Sequence, residues 1–75
     1  MEMKFLRIIR KSNTEQLIPL NIISSIIFDP KYETIVIRVS EDKMEFSDFT
    51  QGMYNSLLEF ITSEIQVVYS FCAGN

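Results

Sequence analysis

The run TIVIRVSEDKMEFSDFTQGMYNSLLEFIT, from Thr34 to Thr62, changes its hydrophobic period from two to about 3.6 part-way along, and that change marks an α+β fold. Over Thr34 to Ser40, the residues Ile35, Ile37 and Val39 alternate with Thr34, Arg38 and Ser40, with Val36 the exception. This is a strand with one face set for a core. Glu41 and Asp42 make a polar tip, after which Lys43 to Phe46 returns with Met44 and Phe46 inward. Asp48 followed by Gln51 is a variant of the capping-box spacing. From Phe49 the pattern becomes helical: Phe49, Met53, Leu57 and Ile61 recur every fourth residue, flanked by Tyr54, Leu58 and Phe60, while Gln51, Asn55, Glu59 and Thr62 form a polar face. Gly52 costs a helix about 1 kcal/mol relative to alanine, so the sequence predicts either a close approach of the sheet there or a loose helix start.

Upstream, residues 3 to 11 read as a strand, with Leu6 and Ile8 on one parity and Phe5 and Ile9 flanking Arg7 on the other. Lys11-Ser12-Asn13-Thr14 has turn composition, so Glu15 to Ile18 is expected to pair back as a hairpin that Pro19 ends for want of an amide hydrogen. Asn21 is placed to cap a short helical turn over Ile22 to Ser25, followed by an apolar strand at Ile26-Ile27-Phe28. Asp29-Pro30-Lys31-Tyr32 suits a type I turn. The expected architecture is a small antiparallel sheet of four to five strands with one long amphipathic helix on a face, in the order β-β-short turn-β-β-α-β, as a single domain over residues 1–75. In the tail, Ile65, Val67, Tyr69 and Phe71 are apolar on one parity, with Val68 and Cys72 adding apolar area on the other. One helix shields one side of a sheet, so these four residues are the expected oligomer seam.

Composition bounds the rest. A chain of 75 residues removes only about 60% of its unfolded surface from water, which leaves a small core and makes burial against a second copy a natural source of stability. The single Cys72 cannot form an internal bridge and suits a reducing, cytoplasmic setting. Lys4, Arg7 and Arg10 interrupt the N-terminal apolar residues, so no export signal is expected. The apolar run Leu17 to Phe28 is broken by Pro19, Asn21 and Ser24-Ser25 and is too short to span a bilayer. A net charge of -3 disfavours nucleic acid as a partner. Lys4, Arg7, Arg10 and Lys11 nonetheless cluster at the start, either as a solvated, charged strand edge or as part of an anion site.

Chemistry is sparse. Histidine is absent, removing the commonest general base and transition-metal ligand together, and one cysteine cannot hold zinc. Cys72 has no activating base nearby in sequence. Gly52 and Gly74 belong to no phosphate-cradling motif, and Glu41, Asp42, Glu45 and Asp48 lack calcium-loop spacing. No catalytic residue, metal or cofactor is therefore expected. Arg7, Arg10 and Arg38 with an aromatic such as Tyr54 remain candidate contacts for a small anionic ligand, a phosphate or nucleotide, if an oligomer gathers them.

Over residues 18 to 61, the order Leu20-Asn21, Ile23, Ile26, Thr34-Ile35-Val36-Ile37, Phe46-Ser47 and a helix loosely resembles the small flagellar FlbD-type proteins. The hairpin tip lacks their glycine and the β-like tail from Ile65 is extra, so no function is carried over. In size and acidity the chain also resembles small phage proteins that blunt host defence. The expectation is a non-enzymatic interaction module that self-associates and binds another protein. The alternative is a ligand-sequestering protein built on the arginines.

Overall fold

Each strand owes its place to a turn that the local sequence can make. The computed structural model describes residues 3–73; Gly74 lies outside them. Phe5–Ile9 (β1) pairs antiparallel with Glu15–Pro19 (β2). Their turn is closed by Arg10 and Thr14 and uses Asn13 at φ 68°, a left-handed conformation that asparagine tolerates better than most residues. Pro19, expected to end the ladder for want of an amide hydrogen, stands opposite Phe5 with its nitrogen turned to the outer edge. The next rung forms, the Leu20 amide donating to the Lys4 carbonyl at 2.7 Å, before a 3-10 turn over Leu20–Ile22 redirects the chain. Ile23–Asp29 (β3), Thr34–Val39 (β4) and Asp42–Phe46 (β5) then form an antiparallel meander. The helix α1, Gln51–Thr62, leads to Val68–Cys72 (β6).

The fold class is α+β, but the single antiparallel sheet is replaced by two sheets of three strands, ordered β2-β1-β6 and β3-β4-β5. Moreover, β6 joins β1 in parallel, with Phe5 opposite Val68 and Ile9 opposite Cys72. Two physical causes explain the difference. The proline and 3-10 turn carry β3 away from the first ladder, and the helical crossover delivers β6 to the free edge of β1 running in the same direction. A pattern of alternation marks strands but does not say which strands pair.

Both sheets share one interior. Leu6, Ile8 and Ile18 from the first meet Ile35, Ile37 and Phe46 from the second, with Phe49, Leu57, Phe60, Phe71 and Ala73 completing the buried set. Phe71 stands edge-on to both Phe46 and Phe49, an arrangement that suits the ring quadrupoles. The helix reaches this interior through Leu57 and Phe60, whereas Leu58, expected beside the apolar stripe, faces solvent.

Several boundaries move for local reasons. Thr50, not Asp48, caps α1, its hydroxyl accepting from the Met53 amide at 3.2 Å. Phe49 is fully buried and its amide donates to the Glu33 carbonyl, which delays the helix start, and Asp48 turns the chain at φ 59°. Asn21 caps nothing, because the short turn begins earlier and β3 is longer than expected. The β4–β5 loop is Ser40-Glu41 rather than Glu41-Asp42, with Asp42 already paired with Val39. A turn forms after Asp29, whose carboxylate accepts from the Lys31 amide at 2.9 Å, and Glu33 closes it at φ 52°. At Gly52 the nearest atom to an added Cβ is the Thr50 hydroxyl at 3.9 Å, so no strand backbone approaches it.

Candidate functional site

Register determines which side chains share a face, and the two sheets present very different outer faces. On the first sheet the residues pointing away from the core are Phe5, Arg7 and Ile9 of β1, Glu15, Leu17 and Pro19 of β2, and Val68, Ser70 and Cys72 of β6. Leu17 is 61% exposed, and none of the apolar members of this face packs against the core. On the second sheet, the outward residues include Ser25, Ile27, Asp29, Thr34, Val36, Arg38, Lys43 and Glu45. That is the usual half-polar sheet, apolar in and charged out. The first sheet instead has an apolar outer face, with the Arg7–Glu15 ion pair set into it.

That ion pair is bidentate, Arg7 Nε donating to Glu15 Oε1 at 2.7 Å and Nη2 to Oε2 at 2.8 Å. The hydrogen bonds from Arg7 hold the Glu15 carboxyl below its ordinary range, and Glu15 raises the guanidinium in turn. Because both side chains lie on the surface, solvent screens the pair and its effect on stability is small.

The four tail residues expected as one seam divide. Phe71 is buried and Tyr69 half-buried, both in the protein's own core, and the Tyr69 hydroxyl donates to the Met53 carbonyl at 2.9 Å. Burial pushes the Tyr69 phenol above its ordinary value. Ile65, 87% exposed, and Val67 lie ahead of β6, where the Ser63 hydroxyl accepts from the amides of Ile65 and Gln66. The uncovered apolar area of β6 therefore belongs to the opposite parity, Val68 and Cys72. That parity was visible in the sequence, but its join to Phe5, Ile9 and Leu17 depends on the parallel pairing with β1.

The candidate anion contacts lie apart in one subunit. Arg7 is held by Glu15 on the outer face of the first sheet, and Arg38 stands exposed on the outer face of the second. Arg10 sits over the Phe46 ring, 5.6 Å from its centroid, and Tyr54 stacks on Phe28 at 4.4 Å. Between the sheets runs an open groove of about 410 Å³, lined by Leu17, Ile18, Ile22, Asp42, Lys43 and Met44. Among the described residues no group of acidic or cysteine side chains is placed to hold a metal ion, and no helix is long and apolar enough to cross a membrane.

Lys4, read in the sequence as part of a solvated, charged strand edge or of an anion site, instead organises the helix end. Lys4 Nζ donates to the carbonyls of Phe60 at 2.6 Å, Ile61 at 3.1 Å and Ser63, and lies 5.1 Å from the Phe60 ring centroid. A cation at the C-terminus of a helix satisfies carbonyls that have no partner within it and meets the negative end of its dipole. Its only sequence signal is a basic residue just before a strand. No family model matches the chain, and no curated protein or solved structure matches it either.

Proposed function

We propose that this chain is a non-enzymatic interaction module that works by protein contact through the outer face of its first sheet. The observation that carries the reading is the contrast between the two outer faces. Contiguous apolar surface left open to water marks a contact region. On one sheet the exposed Leu17, Val68 and Cys72 supply it together with the half-buried Phe5, Ile9 and Pro19, while on the other Arg38, Lys43 and Glu45 surround the exposed Ile27 with charge. The Arg7–Glu15 pair gives that apolar field a polar mark that a docking protein can read. The sequence supports a non-catalytic role, since it offers no histidine. Sequestration of a phosphate or nucleotide would require separate chains to bring their arginines together, and nothing in the arrangement of one subunit favours it.

The test is photo-crosslinking in cells that produce the protein. A photoactivatable residue at position Leu17 is expected to give a discrete covalent adduct with a protein, whereas the same residue at Glu45, on the charged face and away from the groove that Leu17 lines, is expected to give none. Equal, diffuse labelling from both positions would remove the proposal.

A further inference from the structure

Among the described residues, three of the four strand edges carry a device that discourages pairing, and the fourth carries none. The outer edge of β2 has Glu15 and ends in Pro19, and β5 has Asp42, Lys43 and Glu45. The ladder of β3 is broken by an irregularity between Ile23 and Ser25 and ends at Asp29. Charge, proline and bulges are the usual protections of a sheet edge. From Ile65 to Ala73 there is no charge, no proline and no glycine, and among the described residues β6 ends its sheet with nothing paired on its far side.

The hydrogen bonds already made fix what that edge offers. The Phe5 amide donates to the Val67 carbonyl and the Ala73 amide to the Ile9 carbonyl, so the odd-numbered residues of β6 spend their backbone groups on β1. The amides and carbonyls of Val68, Ser70 and Cys72 therefore point outward. We propose that β6 pairs antiparallel with β6 of a second copy about a two-fold axis at Ser70, joining the two first sheets into one six-stranded sheet. In this register Ser70 faces Ser70, and Val68 faces Cys72 of the second copy in both directions. Every outward backbone group finds a partner, and no charge meets another in a chain of net charge -3. That neutrality favours a second copy as the occupant: two chains that each carry a net charge of -3 meet along this seam without bringing like charges together. The pairing also extends the apolar outer face across both subunits. It rests on the interaction-module reading and names that module's first partner.

Cysteine placement tests the register. Hydrogen-bonded antiparallel residues have Cα atoms about 5.5 Å apart, within disulfide reach. Ser70→Cys in a Cys72→Ala background is expected to form a covalent dimer under mild oxidation. Val68→Cys with the native Cys72 is expected to do the same. The wild-type protein should not crosslink through Cys72 alone, because the two native thiols would stand four residues apart along the seam, about 13 Å. Sedimentation of the unmodified protein should show a dimer that dissociates on dilution. A wild-type monomer at every concentration, or crosslinking through Cys72 in preference to position 70, would overturn the proposal. If these fail while the Leu17 adduct still forms with another protein, the dimer falls and the interaction module stands.

Discussion

Lys4 and Tyr69 show how much of this fold depends on single polar groups reaching between distant parts of the chain. Lys4 ties the residue before β1 to the last carbonyls of α1, more than fifty positions away in sequence. Replacing it by methionine keeps the packing of the stem over Phe60 but removes the charge and its donors. Lys4→Met is expected to lower the unfolding free energy by about 1–2 kcal/mol, seen as a lower urea midpoint at unchanged slope. Tyr69 carries a pH signature. Burial raises its phenol above the ordinary 10.0, so the folded state holds that proton more tightly than the unfolded chain does. The associated stability is complete below about pH 10 and is lost as pH rises through the raised value. Urea midpoints from about pH 8 to about pH 11 should therefore fall more steeply for the wild type than for Tyr69→Phe. Parallel curves would remove this account of Tyr69.

At the level of the element, the sequence disclosed most where one segment decides its own structure. The β4 alternation, the turn at Asp29 and the helical stripe of Met53, Leu57 and Ile61 all depend on near neighbours, and all formed. The misplacements occurred where a distant contact decides. Phe49 is drawn into the core and fixed to Glu33, which moves the cap from Asp48 to Thr50. The exposure of Leu58 depends on which side of the helix the sheets leave open. For Gly52, the surroundings are open and no φ in the left-handed region is required, so a methyl group fits without strain. Gly52→Ala is expected to stabilise the protein by about 0.5–1 kcal/mol through reduced freedom of the unfolded chain, measured as a rise in thermal midpoint. A loss of stability would mean that the helix start is shaped by something other than intrinsic propensity.

For the molecule as a whole, the order of strands was hidden, and with it the site. Alternation cannot reveal that Pro19 and the turn after it divide the strands into two sheets, nor that β6 returns parallel to β1. The excess of apolar surface in the tail was visible in the sequence, but its location was not. Of the four residues expected to form the seam, Tyr69 and Phe71 went inward while Ile65 and Val67 stayed exposed ahead of β6, and the opposite parity of β6 joined Phe5, Ile9 and Leu17 outside. A protein this small has few ways to cover such a face with its own chain. The helix α1 and the second sheet already occupy the inner side of the first sheet.

Two exposed side chains make a matched pair for measuring that coverage directly. Leu17 on the first sheet and Ile27 on the second are 61% and 55% exposed in the isolated subunit. Radical footprinting should label them to a similar degree in dilute purified protein. In cells at native abundance, the expected result is strong protection of Leu17 with Ile27 still labelled. Equal labelling of both residues in both settings would contradict the claim that the first sheet's outer face is a contact surface.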